Sequence, residues 1–230
     1  MRFENSFGSY NYYAASDECG RGPLAGPVVA CSVGVLSEEL NQYLEALELM
    51  GVSDSKKLSP KKIALIIEQL NLNLDEFSVS GKYRTIQSAR FVNLDIAIYV
   101  NTNVYIDQYN ILVASLDAMK NSFVRLKNRK PKTYKTIWLV DGPFNPMKKK
   151  YYNLDINPVV KGDTKSILIG LSSIIAKYFR DKMMSRYDEA YPGYGFEAHK
   201  GYLTKLHLDA IKSLGHCDIH RKSFKGVIHD

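Results

Sequence analysis

The chain has 230 residues, of which 45% are hydrophobic, enough to build the core of one domain of ordinary size. Basic residues outnumber acidic ones by 31 to 24, and the net charge of +7 favours a polyanionic partner without requiring one. No uninterrupted apolar run approaches the roughly 20 residues of a membrane span, and the N-terminus lacks the regions of a signal peptide. The three cysteines have no CxxC spacing and do not indicate a disulfide framework. These features predict a soluble cytoplasmic protein with no membrane partner.

The first half of the chain begins with two predicted strands. Apolar runs at 10–16 and 27–36 predict these strands, and a glycine-rich turn joins them. We predict one short helix at 38–49 and a second from Pro60 to about Leu70, with Ser59 as its N-cap. The pattern then indicates a strand at 77–83, no single assignment at 86–103, and a helix at 105–126.

The second half alternates between strands and helices. Apolar runs predict short strands at 136–140 and 158–160, with a basic loop at 127–132 before the first of them. A long helix is predicted at about 164–189 and a last helix at about 203–214. This order of elements predicts an α/β sheet with helical extensions.

Acidic residues follow three of the predicted strands. Asp17 and Glu18 follow the first strand, whereas Asp141 and Asp163 follow the two short strands of the second half. If these strands are neighbours, the four carboxylates meet at one edge of the sheet, where cations must offset their repulsion. Mg²⁺ or Mn²⁺ suits such oxygen ligands, and two ions about 4 Å apart would activate a water and stabilise the leaving oxygen of a phosphodiester. The alternative is that Asp141 opens a turn and Asp163 caps the following helix.

Several other residues have types suited to nucleic acid. Glycines on both sides of Arg21 let backbone approach a ligand, and the guanidinium suits a phosphate. The lysine pair Lys56 and Lys57, and the run 148–150, could follow a phosphate backbone, although lysines of this kind are usually solvated surface. Tyr202, after a glycine, favours exposure and stacking on a sugar or base.

Other interpretations have weaker support. Cys19 has no histidine near it in sequence, so packing is the simpler role for it. His216, Cys217 and His220 have spacing compatible with zinc but no second clear pair. Pro192, Tyr194 and Phe196 fit a packed loop. A binding module without catalysis, and another metal nuclease such as a junction resolvase, remain alternatives, although acids repel phosphates unless metal intervenes.

Seven blocks of the chain resemble, in the same order, the signature of the ribonuclease HII family. They cover most of residues 10–226 and are Asp17-Glu18-x-Gly20-Arg21-Gly22-Pro23-Leu24-Ala25-Gly26-Pro27-Val28-Val29, Asp54-Ser55-Lys56-Lys57-Leu58-Ser59, Val140-Asp141-Gly142, Val160-Lys161-Gly162-Asp163, Ser172-Ser173-Ile174-Ile175-Ala176-Lys177-x-x-Arg180-Asp181, Tyr194-Gly195-Phe196-x-x-His199-Lys200-Gly201-Tyr202-x-Thr204 and His220-Arg221-Lys222-Ser223-Phe224. Two features depart from the family: Cys19 stands where alanine or valine is usual, and the region 84–104 is longer. Arg21 and the short N-terminus resemble ribonuclease HII more than ribonuclease HIII.

The resemblance implies a ribonuclease H-like fold, a mixed β-sheet flanked by helices. Residues 1–190 would form the catalytic domain and 191–230 a C-terminal helical extension packed on it. It implies a monomeric endoribonuclease that uses Mg²⁺ or Mn²⁺. Its substrates would be the RNA strand of RNA–DNA hybrids and single ribonucleotides embedded in duplex DNA, cut on their 5′ side to leave 3′-hydroxyl and 5′-phosphate ends.

The resemblance also implies a role for each matched residue. Asp17, Glu18, Asp141 and Asp163 would be the catalytic metal ligands. The remaining implied contacts are Gly20, Arg21 and Gly22 to the 2′-hydroxyl at the RNA–DNA junction, Lys56 and Lys57 to the phosphate backbone, and Tyr202 stacked on the adjacent deoxyribose. The 2′-hydroxyl is the group by which a protein distinguishes RNA from DNA at one position.

Overall fold

The computed structural model describes residues 2–53, 55–72, 85–88, 91–147 and 153–227, with side chains at all of these except 85–88 and 91–93. Its strands are β1 (Tyr12–Cys19), β2 (Val28–Leu36), β3 (Thr85–Ser88), β4 (Phe91–Asn101), β5 (Thr136–Asp141) and β6 (Leu154–Val159). Its helices are α1 (Leu40–Leu49), α2 (Pro60–Gln69), α3 (Asn103–Tyr109), α4 (Ile111–Lys127), α5 (Ile167–Ala190), α6 (Phe196–His199) and α7 (Lys205–Leu214).

The described strands form one mixed six-stranded sheet in the order β3-β4-β2-β1-β5-β6. The pairs β1–β2, β2–β4 and β3–β4 are antiparallel, whereas β1–β5 and β5–β6 are parallel. The C-terminal ends of β1, β5 and β6 therefore lie at one edge of the sheet. This is the neighbour relationship that the sequence interpretation of the acidic residues required.

Helices cover both faces of the sheet. Tyr13 and Ala15 of β1 pack into a core with α1, α2 and α5, while Tyr12 and Ala14 pack into a second core with α4. Because β1 is buried on both faces, its first four residues, Tyr12 to Ala15, are all apolar rather than alternating with polar residues. Trp138 of β5 stacks on Phe123 of α4 with ring centroids 4.1 Å apart and anchors the second core.

Several predicted boundaries differ from the structure. The predicted helix 105–126 is two helices, because Asn110 between α3 and α4 has φ of +66° and its side chain accepts a hydrogen bond from the Val113 N–H. The short strand predicted at 158–160 is the edge strand β6, which starts four residues earlier and leaves Val160 55% exposed. The unassigned region 86–103 contains most of β3 and all of β4. The predicted strand 77–83 and Lys148–Lys150 lie outside the described residues.

Other predictions agree with the structure. Ser59 caps α2, where its Oγ accepts a hydrogen bond 3.2 Å from the Lys62 nitrogen. Tyr194 and Phe196 are buried as a packed loop predicts, whereas Pro192 of the same loop is exposed. All three cysteines are free. Among the described residues, no helix is both long and apolar enough to cross a membrane.

Candidate active site

The parallel pairing of β1 with β5 brings three acidic residues into one cleft. Ser16 pairs with Val140, so the next residues along each strand, Asp17 and Asp141, lie side by side at the strand ends. Asp17, Glu18 and Asp141 all line a cleft of about 340 Å³. The other residues that line it are Cys19, Gly20, Arg21, Gly22, Ser55, Lys56, Ser173, Lys177 and Tyr202.

Asp163 lies beside this cleft in a short 3₁₀ turn, Gly162–Thr164, between β6 and α5. It is joined to the cleft in two ways: the Lys56 Nζ lies 3.2 Å from its Oδ2, and the neighbouring Gly162 N–H donates to the Asp141 Oδ1 at 2.7 Å. The alternative interpretation of Asp163 as a helix cap is wrong, because Ser166 is the N-cap of α5. Three of the four predicted acids therefore share the cleft, and the fourth borders it.

The alternative interpretation of Asp141 as part of a turn is compatible with its place in the cleft. Gly142 has φ of +91°, and its N–H donates to the Val159 carbonyl at 3.0 Å, so the chain does turn directly after Asp141. A turn at this point ends β5 and leaves the Asp141 carboxylate at the sheet edge.

Burial and mutual repulsion make the acids costly to ionise. Burial raises the pKa of Asp17 well above its ordinary value, and the Glu18 and Asp141 carboxylates raise it further. Burial also raises the pKa of Glu18, which the Arg21 guanidinium opposes, and the pKa of Asp141, which the hydrogen bond from Gly162 opposes. A bound cation would relieve this cost by favouring the ionised forms.

The donor set fits a hard divalent cation. The Glu18 Oε2 is buried and has no hydrogen-bond partner among the described residues, and an unpaired buried carboxylate oxygen calls for a partner. Carboxylate oxygens are the ligands that Mg²⁺ and Mn²⁺ prefer. In the side-chain orientations described, Glu18 instead pairs with Arg21 at 3.5 Å, and no three histidine, cysteine, aspartate or glutamate side chains already form a metal-holding group. Sharing one ion therefore requires these carboxylates to reorient.

The predicted substrate-binding residues lie around the same cleft, with one exception. Lys57 lies in an adjacent pocket of about 200 Å³ together with Asp163, whereas Lys56 and the Gly20–Gly22 turn line the acidic cleft. Tyr202 lines it as well and is 47% exposed. A methyl group placed on Gly22 would lie 3.6 Å from the Tyr202 ring, so the turn and the ring face each other.

Two serines support Asp17 and were not assigned a role from the sequence. The Ser173 hydroxyl forms a hydrogen bond with the Asp17 carboxylate, and its Oγ lies 2.8 Å from the Ser55 Oγ. Both serines lie in blocks that resemble the family, so the resemblance could have pointed to them. Their residue type alone could not, because other buried serines, such as Ser32 and Ser122, also bond to each other.

The zinc and thiol interpretations find no support. His216 is exposed, and both ring nitrogens of His220 are already engaged: Nδ1 accepts from the Cys217 N–H, and Nε2 lies 3.1 Å from the His207 Nε2. Burial raises the pKa of Cys19 to about 11, so its thiol is a poor nucleophile, and the side chain packs against the main core.

Comparison with known proteins decides the family. A family model described as Ribonuclease HII matches residues 14–227. The chain belongs to the ribonuclease HII family. The ribonuclease HII of Clostridioides difficile is 42% identical over 94% of this chain and 70% of its own length. That of Endomicrobium trichonymphae is 38% identical over 98% of this chain and 91% of its own.

Solved structures confirm the fold of this chain. The ribonuclease H2 of Pyrococcus horikoshii has a TM-score of 0.64 at 21% identity and covers 94% of this chain and 95% of its own. Bst-RNase HIII, solved in complex with Mn²⁺, has a TM-score of 0.64 at 16% identity over 95% of this chain and 68% of its own. The predicted ribonuclease H-like sheet flanked by helices is therefore confirmed. Family membership makes the chain a ribonuclease H, a hydrolase of RNA–DNA hybrids that depends on divalent metal.

Proposed function

We propose that this protein cuts on the 5′ side of single ribonucleotides embedded in duplex DNA, as well as within the RNA strand of hybrids, and leaves 3′-hydroxyl and 5′-phosphate ends. The observation that carries the proposal is that Asp17, Glu18 and Asp141 share one cleft with the Gly20–Gly22 turn and Tyr202. Groups able to hold metal thus lie beside groups able to recognise one ribonucleotide.

The catalytic role is proposed for Asp17, Glu18, Asp141 and Asp163. Three of them line the cleft, Asp163 borders it, and burial raises the pKa values of the three in the cleft, so a bound cation would favour their ionised forms. Two bound Mg²⁺ or Mn²⁺ ions would supply an activated water and neutralise charge on the leaving oxygen. The unpaired Glu18 Oε2 is the clearest open ligand position.

Recognition of the ribonucleotide is proposed for the Gly20–Gly22 turn and Tyr202. The turn is exposed at Arg21 and Gly22, and it faces the half-exposed Tyr202 ring across the cleft. Backbone and guanidinium donors suit a 2′-hydroxyl and its neighbouring phosphate, and an exposed aromatic ring suits stacking on the adjacent deoxyribose.

The lysines complete the proposed interface. Lys56 and Lys57 are exposed beside the acids, where they can contact phosphates of the duplex. The enzyme is proposed to act as a cytoplasmic monomer, with residues 1–190 as the catalytic domain and 191–230 as the helical extension that carries Tyr202.

A nicking assay tests the proposal. Three duplexes of one sequence are compared: all DNA, DNA with one ribonucleotide, and an RNA–DNA hybrid, each with Mg²⁺, with Mn²⁺ and with chelator. We expect one nick 5′ of the ribonucleotide, cutting along the hybrid, and no cutting of DNA or with chelator. Cutting only of the hybrid would refute single-ribonucleotide recognition. An all-DNA branched substrate is added under the same conditions, and cutting of that substrate alone would favour a resolvase.

A further inference from the structure

Two buried arginines, Arg180 of α5 and Arg221 near the C-terminus, hold the loop that carries the Gly20–Gly22 turn. Both side chains are fully buried, and neither has a carboxylate partner among the described residues. Burying a guanidinium costs free energy unless its N–H groups form hydrogen bonds. The fold must therefore supply acceptors for the N–H groups of both arginines. All those bonds go to backbone carbonyls.

The two arginines share the Pro27 carbonyl, to which Arg221 donates from Nη2 at 3.2 Å, but otherwise bind different parts of the loop. Arg221 donates from Nη2 to the Gly20 carbonyl at 2.5 Å, from Nη1 to the Arg21 carbonyl at 2.9 Å and from Nε to the Gly26 carbonyl at 2.9 Å. Arg180 donates to the carbonyls of Pro27, Ala25 and Lys200 at 3.0 to 3.1 Å. Only Arg221 therefore contacts the carbonyls of the turn itself.

The carbonyl contacts fix the direction of two amide groups. In a planar trans peptide the N–H points opposite to the C=O. Because the Gly20 and Arg21 carbonyls point at Arg221, the N–H groups of Arg21 and Gly22 point away from it. Neither N–H has a hydrogen-bond acceptor among the described residues, and both residues are exposed and line the acidic cleft.

We propose that Arg221 is a positioning residue that turns the adjacent N–H groups of Arg21 and Gly22 outward as paired donors for the oxygens of a ribonucleotide. The inference rests on the proposed function and adds the contact that orients the groups that would recognise the ribonucleotide. Successive N–H groups that face one way form a concave site for an anionic or hydroxyl oxygen. The planar guanidinium can hold both carbonyls at once, which a single ammonium group cannot do in the same geometry.

The test uses Arg221→Lys with Arg180→Lys as the matched control. Both changes remove one buried guanidinium that bonds to the same loop, but only the first releases the carbonyls of Gly20 and Arg21. Binding of the single-ribonucleotide duplex and of the all-DNA duplex is measured with chelator, at a temperature where melting curves show each variant folded.

We expect wild type and Arg180→Lys to prefer the ribonucleotide duplex, and Arg221→Lys to lose roughly tenfold of that preference, as the loss of oriented hydrogen bonds predicts. An undiminished preference in Arg221→Lys, or an equal loss in both variants, would overturn the inference. If wild type does not nick the ribonucleotide duplex with Mg²⁺, the proposed function itself fails, and this outcome is distinct.

If Arg221→Lys does not fold, an NMR measurement on the wild-type protein tests whether the N–H groups of Arg21 and Gly22 act as donors. The amide resonances of Arg21 and Gly22 are followed by NMR while each duplex is added with chelator. Larger downfield movement with the ribonucleotide duplex than with all-DNA duplex supports outward donors. Equal movement, or none, contradicts them.

Discussion

We expect a chain of neutral histidines next to Tyr202 to make the folded protein less stable in acid. The Cys217 backbone N–H donates to the His220 Nδ1 at 2.9 Å, so that nitrogen must be the acceptor. The His220 Nε2 then carries the proton and donates to the His207 Nε2 at 3.1 Å, and the His207 Nδ1 donates to the Tyr202 carbonyl at 3.0 Å. Each ring is thus neutral in the folded protein, and protonating either one breaks a bond in the chain.

The structure gives the size of the effect. Burial lowers the pKa of His220 from 6.5 to about 4, with His207 adding to the shift. The unfolded chain therefore binds a proton at His220 that the folded chain does not, and the free energy of unfolding falls as pH drops through this window. With these two values, His220 alone removes about 2 kcal/mol between about pH 7 and about pH 5.

The assay is urea unfolding at a series of pH values, followed by the fluorescence of Trp138, the one tryptophan of the chain and fully buried. Wild type is compared with His220→Gln, in which the side-chain amide keeps a donor but does not titrate. His216→Gln, which replaces an exposed histidine, is the control. The acids of the cleft have raised pKa values and the opposite pH slope, but they are common to all three proteins and cancel in the difference.

We expect the stability of wild type and His216→Gln to fall more steeply with acid than that of His220→Gln, by about 2 kcal/mol over this range. Parallel curves for wild type and His220→Gln would refute the neutral-histidine argument.

Three further predictions concern single side chains. Asp141→Asn should keep the wild-type melting temperature within a few degrees, but it should cut the single-ribonucleotide duplex at least about 100-fold more slowly because it loses an anionic ligand. Nicking near the wild-type rate would show that Asp141 is not part of the site. Tyr202→Ala should change the free energy of unfolding by less than about 1 kcal/mol, because the ring is half exposed, yet it should weaken binding of the ribonucleotide duplex roughly tenfold in a titration. Unchanged binding would exclude stacking by this ring. Ser16→Ala removes the acceptor 2.7 Å from the Trp138 Nε1 and should cost about 1–3 kcal/mol in urea unfolding, whereas the exposed Ser213→Ala should cost little; equal costs would contradict the buried bond.

The sheet edge that holds the acids could be predicted from sequence because its strands are unambiguous. Strand β5 is buried along its length up to Asp141, and β1 is buried up to Asp17, so each apolar run ends where the sheet meets the cleft. Strand β6 was predicted less well. It is an edge strand whose middle residues are partly exposed, and Pro158 is tolerated there, so its apolar pattern is weak and shifted toward Val160.

The support of the site could not be predicted, because it depends on contacts between distant parts of the chain. Glu4 is fully buried and accepts hydrogen bonds from Ser166 and the Leu168 N–H at the start of α5, directly after the turn that holds Asp163. The sequence pattern indicates solvated surface for a glutamate at position 4, because its two partners lie more than 160 residues away along the chain.

The same reasoning explains why the C-terminal region belongs to the candidate site rather than merely covering it. The loop after Gly22 is held from this side: the Leu24 N–H donates to the Gly201 carbonyl at 2.7 Å, and the Arg221 N–H donates to the Leu24 carbonyl at 2.8 Å. One segment therefore carries Tyr202, supports it through His207 and orients the turn that faces it. Removing residues after Gly201 would take away both the ring and the geometry of the turn, so loss of activity in such a truncation could not be assigned to Tyr202 alone. Single substitutions that leave this backbone in place are the ones able to separate the two roles.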